Sequence, residues 1–203
     1  MNASAGPSRL PAAERRSGIV RAAVEVFAQR GFGAATTAQI AAAAGVNEAL
    51  LFRHLGSKRG LFRAAIDAAW VEVREACESA FASEPDPALH WRSMGSTFLA
   101  LATTDPHPAR LWSRALTETT GVEEIDQHLV ELMWEVHAFA TATIERSQSA
   151  GGVQPEREPG AEAWIVIALG LLGTVGERLG PVLGDDFSRA LASHREWLTG
   201  TAE

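Results

Sequence analysis

Residues 36–58 read TTAQIAAAAGVNEALLFRHLGSK, and this stretch decides the fold. A helix is predicted to begin at Thr36, because Thr36 and Gln39 have the spacing of a capping box, in which each side chain bonds the other residue's backbone N–H. The alanine-rich helix ends at Gly45, which supplies the positive φ of a tight corner. The sequence therefore predicts a short helix with a sharp turn at its end.

A second short helix follows the corner, and a longer helix lies on each side of the pair. Asn47 is a good cap for a helix over 48–55. Apolar residues at helical spacing predict a supporting helix over 11–30, which the following glycine ends. Ser57 caps a long helix over 58–82. Two short helices that meet at a glycine corner after a supporting helix form a helix-turn-helix.

The rest of the chain is also predicted to be helical, so the fold class is all-α. Alanine, leucine, glutamate and arginine dominate, and no convincing run of alternating β-branched residues is present. The clearest loop is GGVQPEREPG, residues 151–160, which has glycine and proline at both ends. The further helices are predicted at 87–103, 108–119, 122–149, 161–179 and 185–198.

Charge is divided unevenly between the two ends of the chain, whose formal net charge is −7. Residues 1–62 hold eight basic and three acidic side chains, a net of +5, so the remainder carries −12. A basic end on an acidic body is what a protein needs when only one end meets nucleic-acid phosphates. Chance clustering would give the same count, so charge alone does not decide the function.

The cysteine content and the apolar stretches bear on the compartment. The single cysteine, Cys77, has no partner for an intrachain disulfide, and no signal peptide pattern stands at the start. We therefore expect a cytoplasmic protein. The longest apolar stretch, 163–175, is shorter than the ~20 residues that cross a bilayer. No membrane partner is predicted.

Residues 15–62 resemble the N-terminal domain of TetR-family transcriptional regulators. The resemblance implies a helix-turn-helix DNA-binding domain over 10–62, after a disordered lead-in over 1–9. It also implies that the long fourth helix joins this domain to a helical ligand-binding and dimerisation domain over 63–203. The matching positions are Ala22, Ala23, Phe27, Gly31, Thr36, Ile40, Ala41, Ala44, Gly45, Val46, Phe52, Arg53, His54 and Lys58.

The resemblance assigns the start of each short helix to DNA. Thr36 and Thr37 would meet the phosphate backbone through their hydroxyls and the helix N-terminus. Glu48, Ala49 and Leu50 would reach base edges in the major groove. A carboxylate accepts from the cytosine amino group, and apolar side chains touch the thymine methyl group.

Phosphate contacts are implied further along the same segment. His54 and Lys58 match positions that hold phosphate in the family, and Lys58 is the only lysine of the chain. Phe52 stands where the family usually has tyrosine, so we expect it to serve mainly in packing. For Arg53, a phosphate contact and a solvated surface charge are equally good interpretations. The candidate DNA-binding residues are Thr36, Thr37, Asn47, Glu48, Ala49, Leu50, Phe52, Arg53, His54 and Lys58.

The last two helices, 161–179 and 185–198, are predicted to form a homodimer interface. The first of them is apolar on nearly all sides and has glycines at three-residue spacing, which let a partner helix come close. Similar proteins dimerise through a four-helix bundle of this kind. Alternatively, the glycines pack against the chain's own fifth or seventh helix. The candidate interface residues are Trp164, Gly170, Gly173, Gly176 and Trp197.

A ligand pocket is predicted in the middle of the helix over 122–149, where a second apolar stripe accompanies the first. The candidate lining residues are Phe98, Trp112, Trp134, His137 and Thr141. The other tryptophans are expected in the core. No histidines share a metal-ligand spacing, so neither a metal nor a cofactor is predicted.

These observations favour a sequence-specific transcriptional regulator, most simply a repressor that a small-molecule effector releases from a palindromic, double-stranded operator. A helical enzyme is disfavoured, because no nucleophile–base pair, phosphate loop or metal set stands at useful spacing. A helical ligand-binding or scaffold protein without DNA-binding activity is the remaining alternative. The positive charge of the N-terminal part argues against it.

Overall fold

The structure is a computed structural model that describes residues 11–118, 121–179 and 184–200, with side chains of the last turn of the eighth helix, 175–179, excepted. Every regular element within these ranges is helical, which confirms the all-α prediction. None of these helices is long and apolar enough to cross a membrane. The predicted lead-in over 1–9 lies outside the described residues.

The described ranges contain nine α-helices and one turn of 3₁₀ helix, Pro87–Leu89. The short turn precedes the fifth α-helix, so this helix begins three residues after the predicted position. The α-helices are α1 Ala12–Ala34, α2 Thr37–Ala43, α3 Glu48–Leu55, α4 Lys58–Ser83, α5 His90–Thr104, α6 Pro106–Thr117, α7 Glu123–Ser149, α8 Pro159–Leu179 and α9 Gly184–Thr199.

Two helix ends differ from the prediction for local reasons. Gly31 has a φ of 72° and interrupts α1, as its position predicts, but one further helical turn follows it. The sixth helix begins two residues earlier than predicted, because Asp105 caps it by accepting from the backbone N–H of His107 at 3.0 Å. Pro106 then occupies the first helical position, where its missing N–H costs nothing.

One hydrophobic core connects the first four helices to α6 and α7. Phe27 and Phe62 meet edge to face with ring centroids 4.9 Å apart, and both are buried. The same cluster continues through Trp70 of α4 and Trp112 of α6 to Ile125 of α7. The helix-turn-helix end of the chain and the helical body are therefore packed against each other rather than joined by a linker.

A second buried cluster lies at the far end of the body, where α8 and α9 lie antiparallel. The backbone N–H of Gln154, just before α8, donates to the carbonyl of Leu198 near the end of α9 at 3.0 Å. Val153, in the predicted loop, is 2% exposed and belongs to this cluster. The loop thus closes the end of the bundle.

Candidate functional site

The corner between α2 and α3 is a Schellman turn. Gly45 has a φ of 65°, and the backbone N–H of Val46 donates to the carbonyl of Ala41 at 3.0 Å. The N–H of Gly45 donates to the carbonyl of Ala42 at 3.2 Å. These two bonds satisfy the free carbonyls at the end of α2 and set the direction in which α3 leaves.

Side-chain caps fix the beginnings of both short helices. The backbone N–H of Gln39 donates to Thr36 Oγ1 at 3.2 Å, and the N–H of Thr36 donates to Gln39 Oε1 at 3.0 Å, which completes the capping box. The N–H of Leu50 donates to Asn47 Oδ1 at 2.8 Å. Thr36 and Asn47 therefore both have a structural function at the start of a helix.

A hydrogen bond links the two helix starts directly. Thr37 Oγ1 donates to Glu48 Oε1 at 2.6 Å. A threonine hydroxyl has one proton, so Thr37 presents lone pairs and the backbone N–H at the start of α2 to the outside. Glu48 keeps its second carboxylate oxygen for another donor. The bond holds this carboxylate at the N-terminal end of α3.

The N-terminal face of α3 is open to solvent. Glu48, Ala49 and Arg53 are exposed, and Leu50 is half-buried. Leu51 is fully buried and fixes the opposite face of the helix in the core. Phe52 is 42% exposed, so it lies at the surface and not in the packing that the sequence suggested. An exposed helix start with a buried opposite face has the form that enters a DNA groove.

Lys58 lies at the first position of α4 with its ammonium group held in place. Its Nζ donates to the carbonyl of Gly33 at 3.3 Å and lies 4.8 Å from the centroid of the Phe32 ring. An ammonium has three N–H donors, so further donors face outward. His54 is half-buried at the end of α3. A side chain on Gly60 would collide with the carbonyl oxygen of Leu55, so glycine keeps α4 close to α3.

A cavity of about 410 Å³ lies in the helical body, among α4 to α9. Its size falls in the range of small-molecule sites. Tryptophans 70, 91 and 112 contribute to its wall, and Cys77, fully buried, lies on the α4 side. Burial, followed by the charge of Glu78, raises the pKa of the Cys77 thiol to about 11. This thiol stays protonated near neutral pH and acts as an apolar wall element.

The predicted pocket residues separate into two groups. Phe98 and Trp112 line the cavity. Trp134 is 59% exposed, and His137 Nε2 donates to the carbonyl of Gly160 at 2.8 Å while the ring stacks on Trp164. Neither of these two residues lines the cavity, nor does Thr141, which is half-buried.

The structure instead brings other residues of α7 to the cavity, together with Trp70 of α4 and Trp91 of α5, which the sequence assigned to the core. Met133, Val136 and Phe139 supply the α7 wall. A helix with apolar residues on two faces does not reveal which face meets an empty space. Periodicity alone therefore did not identify which residues of this helix line the cavity.

The predicted interface residues also fall into two groups, one exposed and one packed within the chain. Trp164 and Trp197 are 41% and 47% exposed, whereas Gly170 and Gly173 face the chain's own α5. A side chain on Gly170 would lie 3.2 Å from Phe98, and one on Gly173 would lie 2.8 Å from Leu99. These two glycines therefore permit packing within the chain. Gly176 lies in the turn whose surroundings are outside the described residues.

Another face of α8 is exposed and apolar. Ala161, Trp164, Ile165, Ala168 and Leu172 recur at the spacing of one helix face and are all exposed. We call these five residues the α8 stripe.

No group of three or more potential metal ligands occurs in the described ranges.

The helix-turn-helix lies within a segment that matches a known protein family. Residues 19–65 match the family model of bacterial regulatory proteins, tetR family. The chain is 33% identical over 147 residues to the HTH-type transcriptional regulatory protein RaaS of Mycobacterium tuberculosis, which aligns 71% of this chain with 62% of RaaS. The aligned region thus spans about three-fifths of that relative.

Solved structures share the whole architecture. A TetR-family regulator from Agrobacterium tumefaciens superposes with a TM-score of 0.76 at 17% identity, covering 93% of this chain and 100% of that chain. AibR, solved in complex with isovaleryl coenzyme A and operator DNA, superposes with a TM-score of 0.68 at 15% identity, covering 93% of this chain and 100% of its own. These likenesses establish the fold.

Proposed function

Because this chain belongs to the TetR family of bacterial regulatory proteins, we propose that it is a homodimeric transcriptional repressor that a small-molecule effector releases from a palindromic operator. The family consists of transcription regulators and not of enzymes. The observation that carries the proposal is the exposed start of α3, together with Lys58 at the start of α4, on the basic end of an otherwise acidic chain.

The DNA interface is assigned to two sets of groups. Base contacts belong to Glu48, Ala49 and Leu50 at the start of α3, where side chains reach into the major groove. Glu48 retains a carboxylate oxygen for a cytosine amino group after its bond to Thr37. Phosphate contacts are assigned to the start of α2 and to Arg53, His54 and Lys58.

The homodimer is assigned to the exposed faces of the last two helices. The α8 stripe and Trp197 of α9 form apolar surface that a monomer would leave in water. Burial of apolar surface stabilises association in proportion to the area removed from water. A two-fold axis through this surface would present two copies of α3 to successive major grooves, ~34–36 Å apart.

Leu172→Arg tests this interface. Leu172 is 40% exposed in the α8 stripe, so arginine there costs the monomer little but places two charges against each other in a two-fold dimer. We expect sedimentation velocity to show a monomer, with loss of operator binding. Val71→Arg on α4, at a residue 36% exposed, is the matched control and should stay dimeric. Unchanged dimerisation of Leu172→Arg would contradict the assignment.

Effector response is assigned to the cavity, because its wall is shared with the core of the DNA-binding end. Trp70 and Trp112 line the cavity and also belong to the cluster that contains Phe27 and Phe62. A ligand that displaces these indoles therefore shifts α4 and α6 against α1. AibR binds an acyl coenzyme A and operator DNA in the same fold. Nearly complete release requires a preference of ~5.5 kcal/mol for the released state.

The decisive experiment is fluorescence anisotropy with a labelled duplex of the DNA flanking the gene, over a series of salt concentrations. We expect saturable binding of one dimer and a linear fall of log affinity with log salt, since phosphate contacts release counterions. A shuffled duplex of equal length is the control and should bind far more weakly. Absence of salt-dependent binding would instead favour a helical ligand-binding protein without DNA-binding activity.

A further inference from the structure

The arginine, serine and histidine side chains of the cavity wall all come from two helices, α5 and α9. The lining residues from α4, α6, α7 and α8 are aliphatic, aromatic or glycine, apart from Cys77, whose thiol is protonated. Arg92, Ser96 and Ser188 are exposed at the surface, whereas Arg195 and His194 are half-buried, so the cavity opens between α5 and α9. The polar lining residues are Arg92, Ser96, Ser188, His194 and Arg195.

The two arginines lie at the same end of this opening. Leu99 of α5 and Phe187 of α9 both approach Gly173 of α8, which aligns the two helices at that level. Trp91 of α5 lies in the second cluster with Ala163, near the start of α8, so α5 runs parallel to α8. Helix α9 runs antiparallel to α8, because the bond from Gln154 to Leu198 joins the end of α9 to the start of α8. Helices α5 and α9 therefore run in opposite directions. Arg92 precedes Leu99 by seven residues and Arg195 follows Phe187 by eight, so both residues lie on their helices toward the end of the bundle near Leu198.

The sign of the charge at this opening is opposite to that of the body around it. The whole chain has 25 acidic and 18 basic residues, and residues 1–62 account for three and eight, so the body holds 22 acidic and 10 basic residues. Yet the described cavity wall includes two arginines and no aspartate or glutamate. Burial, and then the nearby Arg157, lower the pKa of His194.

One carboxyl group lies close to the opening without lining it. Glu162 Oε2 lies 3.6 Å from His194 Nε2, and Glu162 is 2% exposed. Burial raises the pKa of Glu162, Arg157 lowers it and Glu158 raises it. Glu162 itself does not line the cavity, whereas Arg92 and Arg195 do.

From this arrangement we infer that the effector is an amphipathic organic anion, a carboxylate with a long apolar body. The carboxylate lies at the mouth between Arg92 and Arg195, and the apolar body extends inward against the indoles of Trp70 and Trp112. Arginine suits such a carboxylate because its planar guanidinium donates two parallel hydrogen bonds. The inference rests on the proposed function, since it takes this cavity as the effector site.

A lipophilic cation is the competing ligand class, because three indoles line the cavity and cations bind indole faces. Such a ligand would have to pass two arginines and would find no carboxylate in the described wall to pair with. A cation in a site that selects it is usually matched by an acidic group. The two arginines therefore favour a ligand with a negative charge.

Isothermal titration calorimetry of the dimer without DNA separates these classes. The probes are octanoate, laurate and palmitate below their micelle concentrations, with dodecanol and dodecyltrimethylammonium as the neutral and cationic counterparts. We expect one of the carboxylates to bind once per protomer, and the neutral and cationic probes to bind at least about tenfold more weakly, since charge-assisted hydrogen bonds are lost.

The variants Arg92→Gln and Arg195→Gln locate the anion. Each should weaken carboxylate binding about tenfold or more and leave dodecanol binding unchanged. Arg189→Gln on α9 is the control, because Arg189 is exposed, pairs with Asp186 and does not line the cavity. Binding of none of the carboxylates, equal binding of dodecanol, preference for the cation or full affinity in both arginine variants would each overturn the inference. Because no DNA is present, these outcomes are distinct from failure of operator binding.

Discussion

Replacing Lys58 by alanine is expected to weaken operator binding by about 150-fold to 20,000-fold. A dimer loses two charge-assisted phosphate contacts, each contributing ~1.5–3 kcal/mol. The contact is preformed, because Gly33 and the Phe32 ring already hold the ammonium at the start of α4. Anisotropy titrations should also show a slope of log affinity against log salt that is shallower by about two.

The control for Lys58→Ala is Arg74→Ala, which removes one positive charge from the distant part of the same helix. Arg74 pairs with Glu78 at 3.9 Å and is far along α4 from the helix-turn-helix. The operator affinity of Arg74→Ala, and the slope of that affinity against log salt, should stay close to those of the original protein. If Lys58→Ala retains both affinity and slope while circular dichroism shows an intact fold, Lys58 does not contact phosphate and the DNA interface is misassigned.

Replacing Phe62 by alanine is expected to destabilise the protein by ~3–5 kcal/mol. Phe62 is 2% exposed, and its ring contacts Phe27 and Phe32 with centroids 4.9 and 5.0 Å away. Truncation removes this buried surface and leaves a cavity at the junction of the DNA-binding end and the body. The midpoint of thermal unfolding should fall by about 6–20 °C.

Phe52→Ala is the matched control for this experiment, since it makes the same chemical change within the same domain. Phe52 is 42% exposed, so the free energy of unfolding should change by only about 0.5 kcal/mol. Both variants are compared with the original protein at one concentration, because dimerisation makes the midpoint concentration-dependent. Equal midpoints for the two variants would show that the Phe27–Phe62 contact does not hold the junction together.

The helix-turn-helix was predictable from sequence because its determinants are local. The capping box of Thr36, the positive φ of Gly45 and the cap at Asn47 each act within a few residues, and all three are present in the structure. The bond from Thr37 to Glu48 was not predictable, since it depends on the angle between α2 and α3. That angle is set by packing on the buried Leu51 and Ile40.

The lining of the cavity and the surface for a partner were harder to predict. Trp134 and Gly170 illustrate the problem: sequence periodicity placed the first in a pocket and the second in an interface, whereas the structure exposes Trp134 and packs Gly170 against α5. Periodicity shows that a helix has an apolar face but does not show what that face meets. Where α8 is apolar all round, no face is distinguished at all.

The sequence by itself determined that the chain is helical and where its described helices begin and end to within a few residues. It also determined which segment resembles a DNA-binding domain. Tertiary structure decided how each helix of the body is rotated, and thereby placed Arg92 and Arg195 in the wall of one cavity. The physical reason is the distance along the chain over which each determinant acts. Caps and backbone φ act between near neighbours in the chain, whereas helix rotation minimises the free energy of contacts between residues far apart in sequence.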